Sequence, residues 1–404
     1  MSYQAVGEGM AQVPRRAPAA PVRSPAPVML ITGTRPDIIK TASVVHALAQ
    51  ARCASSVVHS GQHADGISEL YRFFELAPAA SIDLGPRGPQ LADLTARLLA
   101  GLDPIVAQLR PAILVVQGDT TTALAGALLG FYHRIPVAHI EAGLRSGDPG
   151  EPFPEEVNRQ LITRLAAWHF APTPLAVACL RKEGVPLKAI TMTGNTVVDA
   201  ALFGYRRLAA GTAAAAPAVR RILVTAHRRE NWGAGIAAIG AGLCQVIERF
   251  PDVEVLWLRH PNPEVAGAVD AIARQAPAHV RGRLHIAAPL SYPDMLQALR
   301  DAWLVVTDSG GLQEEAVTAR VPVLIARRQT ERPEVVHCGA GHLIGADARR
   351  LVTEISRLYH APDKWEAMRP AQSPFGDGTA GQRIATVLAR FLQTRPARGR
   401  RAAS

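Results

Sequence analysis

The chain has 404 residues, too many for one compact core, and that length predicts two α/β domains. Its residues are 48% hydrophobic but only 5% aromatic, which fits layers filled with Ala, Val and Leu. The formal charge of +10 resembles a nucleic-acid signal, but Arg15, Arg16 and Arg23 near the start and Arg395, Arg398, Arg400 and Arg401 near the end supply much of it, so solvated tails explain it better.

Residues 1–27 contain Pro14, Pro18, Pro21, Pro25 and Pro27 and no apolar run resembling a signal-peptide core, and they read as a disordered extension. Strands of a first sheet are predicted at 28–31, 56–59, 113–116, 137–140 and 169–171, each followed by a helical pattern, within a first domain spanning 28–203. The low-complexity stretch 204–219 reads as a linker. Strands of a second sheet follow at 221–225, 253–258, 284–287, 303–307 and 321–325, within a second domain spanning 220–378. Strands alternating with helices imply parallel sheets with right-handed crossovers. A last helix at 379–393 is free to pack back on the first domain, and 394–404 is a basic tail. The predicted architecture is two doubly wound Rossmann-like domains facing a cleft.

Residues 123–132 form the nearest approach to a membrane span and fall well short of the roughly eighteen apolar residues one needs. Cys53, Cys179, Cys244 and Cys338 are isolated, so neither a zinc site nor a disulfide framework is implied. A soluble cytoplasmic protein with no nucleic-acid or membrane partner is the expectation.

The candidate chemistry sits where strands end, the edge at which open α/β sheets bind ligands. After the first strand come Arg35 and, one turn into a helix opened by Pro36, Lys40. Two cations near a helix N-terminus favour an anion, although each also reads as an ordinary surface charge. Asp119, Glu141 and Glu155 follow within forty residues of one another. Any one of them reads as a helix cap, but three together suggest a cleft in which mutual repulsion raises at least one pKa and enables proton transfer.

In the second half, His227 and Arg228 follow a strand, and His227 among cations is expected to lie below its ordinary pKa. Ser309, Gly310 and Gly311 open a helix whose first N–H groups a phosphate can approach, and Glu315 lies one turn along, where it can accept from ribose hydroxyls. Arg332 sits in the mixed-charge loop Thr330-Glu331-Arg332-Pro333-Glu334. Gly376-x-Gly378-x-x-Gly381 matches a dinucleotide fingerprint, but no strand precedes it, so no nicotinamide cofactor is implied. No histidine pair has zinc-hydrolase spacing.

These residues lie in motifs that resemble one family, the non-hydrolysing UDP-N-acetylglucosamine 2-epimerases. The motifs are GTRPDIIK, GQH, QGDTTTALAGALLGFYHRIPVAHIEAGLRSGD, PFPEEVNRQL, TGNTVVDA, TAHRREN, TDSGGLQEEA and TERPE, spread in order from about Val28 to Leu392. The resemblance implies a fold like that of two-domain (GT-B) glycosyltransferases, with UDP held mainly by the second domain. It implies interconversion of UDP-GlcNAc and UDP-ManNAc without NAD or a metal, through loss of UDP to 2-acetamidoglucal and its re-addition. By resemblance, Asp119, Glu141 and Glu155 handle protons, Arg35, His227, Arg228, Ser309, Gly310 and Gly311 hold the β-phosphate, and Glu315 holds the ribose. Lys40 and Arg145 would hold carboxylates and phosphate in place, Arg332 would contact substrate, and a homodimer is expected.

The chain also departs from the pattern. Arg327-Arg328-Gln329 stands where the family has an acidic residue after Arg. A substrate carboxylate would want such cations, so a UDP-diacetamido-uronic acid is an alternative sugar. Gln62, Arg228 and His260 match the family's activator site, but Ala64, Asp65 and the short loop 85–90 do not, which predicts weak or absent substrate activation. Pro36-Asp37 differs from the Ala-Asp of hydrolysing relatives. A glycosyltransferase or a non-catalytic nucleotide-sugar sensor would share the fold.

Overall fold

The computed structural model describes residues 28–85, 90–209 and 219–394. The proposed N-terminal extension, most of the proposed linker, part of the loop 85–90 and all but the first residue of the basic tail lie outside them.

The first sheet comprises β1 (Val28–Thr32), β2 (Ser55–His59), β3 (Ala80–Ser81), β4 (Ile113–Gln117), β5 (Val137–Ile140), β6 (Trp168–Ala171) and β7 (Ile190–Met192). The second comprises β8 (Arg220–Thr225), β9 (Val253–Leu258), β10 (Leu284–Ala287), β11 (Ala302–Thr307), β12 (Val323–Ile325) and β13 (Gly341–Leu343). Every pairing is parallel, in the orders β3-β2-β1-β4-β5-β6-β7 and β10-β9-β8-β11-β12-β13. Central strands such as VMLIT and ILVVQ are buried along their whole length, as continuous apolar runs between two helical layers must be. The edge strands β3, β7 and β13, of two or three residues, are additions to the predicted set.

The order reverses between β1 and β4 in one sheet and between β8 and β11 in the other. Loops diverge at such points and leave a crevice at the C-terminal ends of the strands. The chain puts GTRPD after β1, GDTTT after β4, TAHRREN at the end of β8 and DSGG after β11.

Helix Thr196–Ala209 runs into the stretch expected to be linker from residue 204. The linker expectation fails there because Gly204 is a packing glycine: a Cβ on it would lie 2.1 Å from Leu296 Cδ1. Val197 and Val198 share a core with Ala316, Val317 and Phe375, and Ala200 and Ala201 share another with Ile38, Tyr292 and Leu296. This helix therefore joins the two sheets through apolar contact.

Helix Ala380–Thr394 lies on helix Arg35–Gln50 and buries Ile384, Ala385 and Leu388 with Val28, Leu30, Val44 and Leu48. The Gly376-x-Gly378-x-x-Gly381 run has a packing explanation here. Gly376 and Gly378 have φ of 120° and 81°, and a Cβ on Gly381 would meet the backbone of Ser43 at 2.7 Å. No described helix is long and apolar enough to cross a membrane.

Candidate functional site

The loop after β1 begins with Gly33, where a Cβ would fall 2.1 Å from Thr122 Oγ1 and 2.5 Å from Ser60 Oγ. Thr34 caps helix Arg35–Gln50, and Asp37 closes the capping box by accepting from the N–H groups of Gly33 and Thr34 at 2.9 and 3.0 Å. That turn sends Arg35 across the cleft, where Nη2 donates to the Leu290 carbonyl at 3.3 Å. Lys40 points under the loop. Its Nζ donates to Glu141 Oε1 at 2.6 Å and lies 3.6 Å from Glu314 Oε2. Burial opposes its charge, but Glu141 and Glu314 hold it above the ordinary lysine value.

The three carboxylates of the first domain stand in three different environments, and Asp119 lies near enough to Glu155 to raise its pKa. Glu141 follows β5 with φ of 64°, a left-handed geometry that is costly for a residue with a Cβ. Lys40, Gln117 Nε2, Asn195 Nδ2 at 3.2 Å and Arg332 Nη2 at 3.4 Å all donate to it. Burial works against its charge, but the two cations win and lower its pKa to about 2. Asp119 follows β4, and its Oδ2 accepts from Arg159 Nε at 2.7 Å. Glu155 opens helix Glu155–Leu165 half-buried, and burial, with Asp119 nearby, raises its pKa above the ordinary glutamate value. Its neighbour Glu156 is fully buried and takes hydrogen bonds from Ser146 N and Arg159 Nη1, both at 3.0 Å. Of the adjacent pair, Glu156 therefore holds the loop, while Glu155 retains the carboxyl with raised proton affinity.

The second sheet supplies donors. Ser309 caps helix Gly310–Thr318. A Cβ on Gly311 would meet nothing within 4 Å, and one on Gly310 would meet only the Arg332 guanidinium, at 3.8 Å. The helix N-terminus is thus open to an anion. Asp308, fully buried just before it, accepts from His227 N and Arg228 N at 2.8 Å and from Asn231 Nδ2 at 2.9 Å. This bolts the loop after β8 to the loop after β11. His227 stacks on His260 with ring centres 5.1 Å apart. Burial holds His227 below the ordinary histidine value. Arg228 Nε is buried with no hydrogen-bond partner among the described residues. Glu315, half-buried on the next turn, is raised to about 7 by burial.

Arg332 ties the halves together. It pairs with Glu314 and Glu141, lies 3.7 Å from Glu331, and is held above the ordinary arginine value by them in spite of its burial. Arg159 reaches from its helix to Glu331 at 3.6 Å.

Two residues depart from the roles expected of them. Arg145 is taken up by Glu183 at 2.6 and 2.8 Å, Thr163 at 2.8 Å and the Leu144 carbonyl at 2.6 Å, so it braces helices behind the loop. Arg327 offers no vacant charge for a substrate carboxylate. Glu230, Glu331 and Glu151 surround it at 2.7, 3.1 and 3.1 Å, and Arg328 beside it is exposed. Gln62 accepts from Thr122 N at 3.0 Å and Thr122 Oγ1 at 2.7 Å and so braces the helix after β4.

Sequence reasoning missed Arg159, Asn195, Asp308, Glu314 and Glu331. Arg159 was legible as the residue one turn after Glu155, and Asp308 as the acid preceding Ser309. Asn195 and Glu314 carry no local signal, because their meaning lies in a contact between the two sheets, 3.1 Å across. Among the described residues, no group of three or more His, Cys, Asp or Glu side chains is arranged to hold a metal ion.

The family model described as UDP-N-acetylglucosamine 2-epimerase matches residues 46–389. The chain is 40% identical over 373 residues to the UDP-N-acetylglucosamine 2-epimerase of Yersinia pestis, covering 89% of this chain and 98% of that one. It is 40% identical over 372 residues to the enzyme of the same name from Escherichia coli K12, with the same coverage. Among solved structures, it resembles UDP-GlcNAc 2-epimerase from Neisseria meningitidis bound to UDP-GlcNAc, with a TM-score of 0.84 at 32% identity over 90% of this chain and 99% of that one. It also resembles the Methanocaldococcus jannaschii enzyme in complex with UDP-GlcNAc and UDP, with a TM-score of 0.75 at 31% identity and the same coverage.

Proposed function

This chain belongs to the UDP-N-acetylglucosamine 2-epimerase family, and from that premise we propose that it interconverts UDP-GlcNAc and UDP-ManNAc without hydrolysing either. The observation that carries this reading is the meeting of the carboxylates of the first sheet with the donors of the second. Arg332 is 3.4 Å from Glu141 and packs against Gly310, at the helix end suited to a diphosphate.

The proton on C2 of the sugar is not α to a carbonyl, so its direct removal is prohibitively hard. Breaking the bond from C1 to the phosphate oxygen first makes C1 oxocarbenium-like and acidifies C2. Loss of that proton leaves 2-acetamidoglucal and free UDP. Re-addition of UDP at C1, with a proton delivered to the opposite face of C2, gives the other epimer.

Each step has a group suited to it. The departing diphosphate gains negative charge, which the Gly310 and Gly311 N–H groups, Arg228 and His227 would meet, with Arg35 on the facing loop, while the Ser309 N–H is taken by Thr307 Oγ1 at 3.0 Å. Glu141, held ionised by Lys40 and Arg332, supplies a fixed negative charge to a cationic C1. Asp119, paired with Arg159, is suited to take a proton, and Glu155, with its raised proton affinity, to give one. Glu315 would accept from the ribose hydroxyls. The expected homodimer remains part of this reading, and analytical ultracentrifugation tests it.

The alternative sugar bearing a carboxylate is disfavoured by the three carboxylates around Arg327. The deciding experiment is proton NMR of the protein with UDP-GlcNAc in deuterium oxide, without added NAD. The expected result is UDP-ManNAc with deuterium at C2 in both epimers. UDP-GlcNAc left unchanged, with UDP still bound, would move a modified sugar or a sensor to the front.

A further inference from the structure

Asp308 has more capacity than its role as a bolt uses. Its Oδ2 takes all three hydrogen bonds from the His227 and Arg228 amides and Asn231. Its Oδ1 is buried, makes no hydrogen bond among the described residues, and lies 3.3 Å from His227 Nδ1. Trp232 Nε1 holds the His227 carbonyl at 2.8 Å, and the His260 ring lies parallel to that of His227, with 5° between the planes. The His227 main chain is therefore held by Trp232, and its imidazole lies along His260 with Nδ1 towards Asp308. The two ring nitrogens sit on different edges, so an Nδ1 turned to Asp308 leaves Nε2 turned away from it.

The geometry favours one tautomer. A carboxylate oxygen 3.3 Å from Nδ1 favours a proton there, and in the neutral ring Nε2 then carries a lone pair, which cannot donate to a phosphate oxygen. The groups facing the ring are Asp308 at the end of β11, His260 after β9 and Arg228 on the same loop. Burial, the stacked His260 and Arg228 lower the ring's proton affinity, and Asp308 opposes them. A diphosphate arriving beside it adds the charge that tips the balance. We propose that Asp308 is a positioning residue that makes His227 a doubly protonated donor to the leaving diphosphate, the second proton being taken from solvent when the nucleotide binds. This inference rests on the UDP-sugar reading above. It differs from that reading in assigning Asp308 a chemical role, with a measurable proton inventory.

The test is calorimetry of UDP binding near neutral pH in buffers of different ionisation enthalpy. The wild-type protein should take up about one proton per UDP bound. Asp308→Asn, whose amide N–H would face Nδ1 and move the ring proton to Nε2, should bind UDP with no uptake. Its kcat should fall by about 100-fold or more, with KM changing much less. A part that was only structural would leave proton uptake and the pH profile of kcat unmoved. Equal uptake by both proteins, or UDP binding to the wild type with none, overturns the proposal. Absence of UDP binding by the wild type instead overturns the functional reading beneath it. If Asp308→Asn does not fold, NMR of isotope-labelled histidine in the wild-type UDP complex decides. Two protonated nitrogens on His227 support the proposal, and an unprotonated Nδ1 overturns it.

Discussion

At the scale of the residue, the three carboxylates are the same functional group in three environments. Glu155 lies above the ordinary glutamate value through burial, with Asp119 contributing, and is protonated to a higher pH than a surface glutamate. In the proposed role of proton donor, it would make kcat in the direction in which it donates fall as pH rises through that elevated value. Glu155→Gln should lose that limb of the profile and lower kcat by about 100- to 10,000-fold. An unchanged limb in the variant assigns the donor elsewhere. For Glu141 the sign is opposite. Its pKa falls from 4.5 to about 2, so the stability it contributes is present above 4.5 and is lost as pH falls through about 2. Glu141→Gln leaves Lys40 and Arg332 buried without that charge and should cost roughly 3–5 kcal/mol at neutral pH, shrinking in acid. Urea unfolding across that range reads it, and a variant as stable as wild type at neutral pH contradicts the clamp.

At the scale of the element, the helix opening at Gly310 allows binding and folding to be separated. The position of a Cβ on Gly311 is open space within the protein, and alanine is the better helix former. Gly311→Ala should therefore leave stability unchanged or raise it by about 0.5 kcal/mol. If a phosphate sits on those N–H groups, the same methyl should weaken UDP binding by about tenfold or more. Thermal unfolding with calorimetry measures both, and an unaltered UDP affinity removes the phosphate from this helix. The elements themselves were unevenly legible. Central strands showed as apolar runs because both faces are buried, whereas β3, with one half-buried and one exposed residue, has no run to show. Gly204 looked like the start of a linker because a packing glycine and a flexible one are the same letter.

At the scale of the whole molecule, the two sheets face each other through oppositely charged side chains. Lys40 meets Glu314, Arg332 meets Glu141, Arg159 meets Glu331 and Arg327 meets Glu151 at 3.6, 3.4, 3.6 and 3.1 Å. The first three pairs are largely buried and so little screened by salt. In the proposed reaction a glycal intermediate would have to be retained between the halves, and such pairs favour the closed arrangement. The activator positions point to simple saturation. Gln62 is committed to Thr122 and His260 to stacking on His227, while Ala64 and Asp65 depart from the family's residues. Initial rates against UDP-GlcNAc, and against UDP-ManNAc with no UDP-GlcNAc added, should be hyperbolic. A sigmoidal curve, or a reverse reaction that needs UDP-GlcNAc, would show that substrate activation persists.

The sequence by itself determined two parallel sheets, their order along the chain and the ends of strands at which Asp119, Glu141, His227 and Ser309 stand. Those features rest on local periodicity and on glycines and caps at fixed offsets, which a linear string records. Only the tertiary structure decided which charges meet. Arg145 went to Glu183 and Arg327 to three carboxylates, and Asp308 came to lie against His227, 81 residues away. A buried charge is settled by whatever opposite charge the fold brings within a few ångströms, and that distance is set by packing between sheets, not by spacing along the chain.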